Sequence, residues 1–213
     1  MSELRRFRSR RNDVRLITGG QEPIVEKIFT DRARAELEVS VYELLRGRAL
    51  RAPRLIDVKA DRIYLSYLQG TVFVTLLEQQ EKTGVDMTPW HLLIDWLLSF
   101  YRLTGLIMTD VNLRNFLYLP DERTVAGLDF EECAPGQPAD MLACLCAFIL
   151  LYNPPFTAEK NSIVREIGRC AAEKGICCTD VLTEKSAREI GRLQSRREKA
   201  ARQDETRRAE ASS

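Results

Sequence analysis

The stretch Met108-Thr109-Asp110-Val111-Asn112-Leu113-Arg114-Asn115 sets Asp110 five residues before Asn115, and Gly127-Leu128-Asp129-Phe130-Glu131 sets Asp129 fourteen residues after that asparagine. Between them, Phe116–Leu119 and Val125–Leu128 read as two short strands around a Pro120–Arg123 turn. A hairpin of that length brings Asn115 and Asp129 side by side at the strand ends. An amide oxygen beside a carboxylate suits Mg²⁺, a hard cation that takes one or two protein oxygens and completes its shell with substrate phosphates and water. Asp110 then supplies a carboxylate able to orient a hydroxyl or accept its proton.

Upstream, Asp13–Ile17 and Pro23–Phe29 alternate and are β-branched, with Gly19-Gly20 between them as a hairpin signal. Lys27 interrupts the otherwise apolar run of the second strand. Asp31–Arg46 reads as a helix that Thr30 or Asp31 caps and Gly47 stops, with Leu37, Val41, Leu44 and Leu45 as its apolar stripe. Glu38 lies one turn into it, and Glu36 competes for the same role. Pro53–Val58 and Arg62–Tyr67 read as further strands, and a second helix starts near Val72.

Pro89–Thr104 reads as a helix whose Trp90, Leu93, Ile94, Leu97 and Tyr101 form a core stripe. Ala139–Tyr152 is apolar nearly all round and reads as a buried helix, Ser162–Lys174 as an amphipathic one. The layout is α+β: a strand-rich N-lobe over residues 1–69, a helical C-lobe over 70–183 carrying the polar loop, and a charged tail over 184–213, helical or disordered.

Composition narrows the chemistry. The 213 residues carry 32 Lys+Arg against 31 Asp+Glu, a net charge of +1. Residues 1–11 hold five arginines against Glu3, and residues 184–213 hold nine basic against six acidic groups, so the intervening body is acidic. That balance argues against an overall basic nucleic-acid binder. A single histidine, His91, disfavours Ser-His-Asp and Cys-His catalysis, and the six cysteines contain no C-x-x-C pair for zinc. The N-terminus is arginine-rich with no apolar run behind it, so no signal peptide is expected. The longest apolar stretch, Met141–Tyr152, is too short to span a bilayer, and a cytoplasmic protein is expected.

Taken in order, these features resemble the protein-kinase-like superfamily over roughly residues 13–152. The likeness is to its small atypical branches: RIO-like kinases, the small KEOPS-complex kinase, lipopolysaccharide kinases and aminoglycoside-type phosphotransferases. It implies a two-lobe kinase-like fold with a compact helical C-lobe, with ATP and Mg²⁺ as cofactors. Lys27 resembles the lysine that pins the α- and β-phosphates, and Glu38 its ion-pair partner. Leu65-Ser66-Tyr67-Leu68-Gln69-Gly70 resembles the hinge, which puts Leu65 and Tyr67 at the adenine ring. Asp110 resembles the catalytic aspartate, Asn115 and Asp129 the magnesium ligands, and Asp140 the aspartate that props the catalytic loop.

The activity implied is transfer of a γ-phosphoryl group to a hydroxyl, with protein serine, sugar and lipid-linked sugar all open as acceptors. The chain also departs from the pattern. Met108-Thr109 stands before Asp110 where His-Arg is usual, and Glu131 stands where Asp-Phe-Gly has its glycine. The glycine-rich phosphate loop should fall around residues 5–12, which read Arg5-Arg6-Phe7-Arg8-Ser9-Arg10-Arg11-Asn12. Arginines forbid the close backbone approach that glycine permits, but can reach phosphates through their side chains. Two alternatives follow: a pseudokinase or nucleotide-binding interaction module, and an RNA-associated ATPase or kinase subunit whose basic ends contact RNA or protein.

Overall fold

The structure, a computed structural model, describes every residue except Met1, Arg8, Arg10, Gly19, Gln21 and 211–213; the side chains of Arg197, Ala200, Ala201 and 203–210 are likewise outside the description. Contacts divide the chain into two compact units, Met1–Pro138 and Ala139–Ser213.

The first unit begins with β1 (Glu3–Phe7), β2 (Asp13–Thr18), β3 (Pro23–Ile28), α1 (Arg32–Leu45), β4 (Leu55–Lys59) and β5 (Arg62–Ser66). The five strands form one antiparallel sheet in the order β1-β2-β3-β5-β4. The alternating stretches form the inner strands as their pattern predicts, and β3 lies in the middle. Lys27 is therefore flanked by Val14 on one side and Ile63 on the other. Successive strand residues face opposite ways, and Glu26 and Lys27 are both buried. Glu26 is satisfied by Tyr64 Oη (3.1 Å) and Arg62 (3.0 Å), which leaves Lys27 to the other face.

One expectation narrows here. Residues 3–7 are a strand paired with β2, so the turn that could cover phosphates is confined to residues 8–12, between β1 and β2. Arg8 and Arg10 of that turn lie outside the described residues.

Asp31 caps α1, its carboxylate accepting from the backbone N–H groups of Ala33 (2.9 Å) and Arg34 (3.4 Å). The inward face of α1 is Ala35, Glu38, Val41, Tyr42 and Leu45, which keeps Val41 and Leu45 of the stripe read from spacing and leaves Leu37 half-buried. Leu44 is exposed. The helix is rotated so that a charged residue points inward, because the partner of Glu38 waits on β3.

The first unit continues with β6 (Thr71–Val72), α2 (Phe73–Thr83), α3 (Thr88–Thr104) and β7 (Leu106–Met108). Gly105 ends α3 at φ +70°, a left-handed position where glycine costs least, and turns the chain straight into β7. A single 3-10 turn over Leu113–Asn115 then leads into the hairpin of β8 (Phe116–Leu119) and β9 (Thr124–Gly127), and β10 (Cys133–Pro135) returns antiparallel to β7. Trp90, Leu93, Ile94 and Leu97 of α3 are core as their spacing predicts; Trp96 and Phe100 join them, while Tyr101 is half-buried.

The second unit is helical. It comprises α4 (Pro138–Leu151), α5 (Ala158–Glu173) and α6 (Thr179–Glu210). Nearly every residue of α4 is buried, as expected of a helix apolar on all sides. The charged C-terminal run is helical, and the helix starts at Thr179, with Leu182, Ser186 and Leu193 as its buried residues among those described. No helix among the described residues is long and apolar enough to cross a membrane.

Candidate functional site

The β8–β9 hairpin does what its length predicts. Phe116 opposes Gly127, and the Leu128 N–H donates to the Asn115 carbonyl (2.9 Å), so Asn115 and Asp129 emerge together from the strand ends. Gly127 is required by contact: a Cβ there would lie 2.3 Å from the Trp96 ring. The Asn115 amide donates to the Asp110 carbonyl (3.0 Å), which leaves its Oδ1, the atom a hard cation takes, to the site. On the other side, Cys133 pairs with Met108, and Thr109 donates through both N–H (2.9 Å) and Oγ1 (2.8 Å) to the Glu132 carbonyl. The loop bearing Asp110 is thereby bound to the segment bearing Asp129.

Phe130 anchors that segment. It is fully buried, packs edge-on to Tyr42 of α1 (5.0 Å between centroids) and stacks on Phe100 of α3 (5.5 Å). With Phe130 fixed, its two neighbours are presented to the sheet. Lys27 Nζ donates to Glu38 Oε2 at 2.6 Å and to Asp129 Oδ1 at 2.8 Å, with Glu131 Oε2 at 3.3 Å. Lys27 is 5% exposed and Glu38 is completely buried. Glu36 is exposed and pairs with Arg32 instead.

One ammonium thus faces three carboxylates. Burial alone would lower the Lys27 pKa, but Glu38, Asp129 and Glu131 together raise it above that of an ordinary lysine. Burial pushes the Glu38 carboxyl up to about 8, and Lys27 offsets this only in part. Glu38 Oε1 has no hydrogen-bond partner. The carboxylate oxygens of Glu38, Asp129 and Glu131 lie within 4.8 Å of one another.

A small opening lies beside this cluster, lined by Met108, Asp110, Asn115, Asp129, Glu131 and Glu132. The three polar loop residues expected from the sequence, Asp110, Asn115 and Asp129, therefore line one space, and Lys27 with Glu38 reaches it through Asp129. Leu65 and Tyr67 lie elsewhere: Leu65 is buried on β5 opposite Val25, and Tyr67 is half-buried just beyond that strand. Asp140, in the second unit, accepts from Lys185 (2.6 Å).

Three residues at this site escaped the sequence reading: Glu131 enters it only as a missing glycine, and Glu132 and Arg34 are not placed there. Arg11 and Asn12 fall in the stretch expected to cover phosphates, but their partners were not read. Arg34 of α1 donates to Glu132 Oε1 (2.7 Å), Arg11 of the β1–β2 turn to the same oxygen, and Asn12 to Glu131 Oε2. Burial alone would raise the Glu132 pKa, but the bonds from Arg34 and Arg11 outweigh it and hold the carboxyl below its ordinary range. A signal existed for Arg34: it precedes Glu38 by one helical turn and shares its face. Nothing local named the partners of Arg11 and Asn12, which they meet across more than a hundred residues of chain. Among the described arginines of the basic N-terminus, Arg6 pairs with Asp13 (3.3 Å) and Arg5 lies over Phe7.

Among solved structures, the chain is similar to the Cydia pomonella granulovirus kinase PK-1, at 17% identity over 64% of this chain and 55% of that one, with a TM-score of 0.51. The fold is protein-kinase-like. Its mixed α/β make-up, a sheet-rich N-terminal part followed by helices, is the one the resemblance implied. The chain spans about half the length of PK-1. It also aligns with Rv3197 of Mycobacterium tuberculosis, solved in complex with erythromycin, at 16% identity over 76% of this chain and 52% of that one, with a TM-score of 0.48. No protein-family model and no curated protein sequence matches the chain.

Proposed function

We propose that this chain is an ATP- and Mg²⁺-dependent phosphotransferase that moves the γ-phosphoryl group of ATP to a hydroxyl acceptor. The observation that carries the reading is Lys27 Nζ held between Glu38 (2.6 Å) and Asp129 (2.8 Å) beside an opening that Asp110 and Asn115 line. The donor set fits magnesium. Asp129 and Asn115 offer hard oxygens, and the surplus of carboxylates around Lys27 calls for a further cation. When bound, Mg²⁺ would neutralise phosphate charge and orient the transferring group.

Each side chain then has a defined task. Lys27 holds phosphate oxygens, and Glu38 aims it. Asn115 and Asp129 hold the metal, while Leu65 and Tyr67 are assigned to the adenine side. Asp110 orients the acceptor hydroxyl and takes its proton, so that rate comes mainly from positioning and charge neutralisation. Protein serine, sugar and lipid-linked sugar remain the acceptor classes.

The test compares Mg·ATP binding and phosphoryl transfer across variants. Asp110→Ala should keep nucleotide binding and lose roughly 10²–10⁴-fold in turnover, the usual worth of a general base. Asp129→Ala should lose Mg²⁺-dependent nucleotide binding as well. Undiminished turnover in Asp129→Ala refutes the assignment.

A second reading, a pseudokinase or nucleotide-binding module, is favoured by one observation. The Asn12 backbone N–H in the β1–β2 turn, a donor that a phosphate cradle would use, is already taken by Ser9 Oγ (3.2 Å). Its mark is thermal stabilisation by Mg·ATP with no release or transfer of phosphate.

A further inference from the structure

Two guanidinium groups from separate elements converge on one oxygen. Arg11 arrives from the β1–β2 turn and Arg34 from the first turn of α1, and both donate to Glu132 Oε1, Arg34 at 2.7 Å. Glu131 Oε1 lies 3.6 Å from the same Arg11 nitrogen and 3.7 Å from that of Arg34. Glu131 and Glu132 both line the opening that Asp110, Asn115 and Asp129 line, so the two cations stand behind two of its lining carboxylates.

Three features separate this arrangement from a simple strut. Glu132 does not need its side chain to hold the local backbone, because its carbonyl is fixed by two donors from Thr109. The pairs are partly solvated, with Arg11 40% and Arg34 30% exposed along their side chains, so they are weak enough to exchange. A guanidinium also matches a phosphate as well as it matches a carboxylate, with the same two-pronged fork.

We propose that Arg11 and Arg34 are phosphate-binding residues of this site, and that Glu132 is a built-in anion that occupies them until a polyphosphate takes its place. The proposal rests on the nucleotide reading above and deepens it: side chains supply the phosphate contacts that a glycine-rich turn would supply through its backbone. Arrival of a magnesium-bound polyphosphate transfers both guanidinium groups from Glu132 to phosphate oxygens and releases Glu132 toward solvent. No covalent bond changes in this step. Glu132 and the arginines therefore act on binding with opposite signs, which a structural role would not produce.

The experiment measures the affinity of the full chain for magnesium tripolyphosphate and for Mg·ATP by titration calorimetry, with melting curves as a folding check. Glu132→Gln should bind tripolyphosphate roughly fivefold tighter, and Arg11→Ala and Arg34→Ala roughly fivefold weaker, the factor a half-exposed ion pair is worth. In Arg11→Ala/Glu132→Gln the gain from the second change should shrink, since one of the two released cations is gone. Arg11→Lys, which keeps the charge and loses the fork, should fall between wild type and Arg11→Ala.

Weaker or unchanged binding in Glu132→Gln overturns the proposal, as does the absence of tripolyphosphate binding in every variant. Its failure is distinguishable from failure of the nucleotide reading. Equal affinities across the variants with Mg·ATP turnover intact would sink the exchange alone. Opposite-signed effects on tripolyphosphate with no preference for ATP would leave the exchange standing and sink the adenine assignment.

Discussion

Lys27→Met tests the centre of the site through stability, independently of any substrate. Methionine matches the length and volume of the lysine stem, so the change removes a cation and little packing. Lys27 faces Glu38, Asp129 and Glu131 at 2.6, 2.8 and 3.3 Å, and without it three carboxylates face one another. Stripping the partner from a fully buried ion pair costs about 3–5 kcal/mol. The cost here is lower, because Asp129 keeps 36% of its side chain in solvent and Glu38, already at about 8, can retain a proton. We expect about 2–3 kcal/mol near neutral pH, or a Tm lower by roughly 4–12 °C for a chain of this size.

The pH dependence has a definite sign. Without Lys27 the Glu38 carboxyl, already raised by burial, rises further, so the native state holds a proton that the unfolded state has released. Stability then falls as pH rises, and the deficit against wild type is larger at about pH 8.5 than at about pH 5.5. Adding Glu38→Gln removes one of the stranded carboxylates and should restore part of the loss, with a coupling of about 1.5–3 kcal/mol. Differential scanning fluorimetry of the four proteins at the two pH values measures this. Melting temperatures equal to wild type at both pH values, or effects of the two changes that simply add, would refute the reasoning.

Gly127→Ala pushes a methyl group into the Trp96 ring, which stacks on Phe100 and cannot swing aside; overpacking of this kind costs about 1–3 kcal/mol, and Trp96→Phe should recover part of it in thermal melts. Thiol reactivity should follow burial. Cys133 and Cys146 are buried, and burial pushes both up to about 12. Alkylation of the native chain near pH 8 should label Cys178 and, more slowly, Cys177, with the other four cysteines reacting only in denaturant. Labelling of native Cys133 at the rate of Cys178 would contradict the burial described for the segment after Asp129.

What the chain spells out locally is what could be read from it. The alternation of Asp13–Ile17 and Pro23–Phe29, the Asp31 cap and the turn between Phe116 and Leu128 each depend on neighbours within a few residues, and each appears where spacing placed it. The same locality made Asn115 and Asp129 legible as a pair, because a hairpin register is set by its turn. The α1 stripe was legible only in part, Val41 and Leu45 being buried and Leu44 exposed, for a related reason. Periodicity assumes that the inward face is apolar, and Glu38 breaks that assumption because its partner lies on β3, outside the helix.

By itself, then, the sequence determined most of the strands and helices, though not β1 or β10, and the order of the polar residues, since these follow from local sterics, capping and burial pattern. Only the tertiary structure decided that Lys27, Glu38, Asp129 and Glu131 form one charged cluster, and that Arg11 and Arg34 share Glu132. Those meetings join groups up to 121 residues apart. No periodicity encodes them; they exist because Phe130, locked between α1 and α3, holds Asp129 and Glu131 against the sheet.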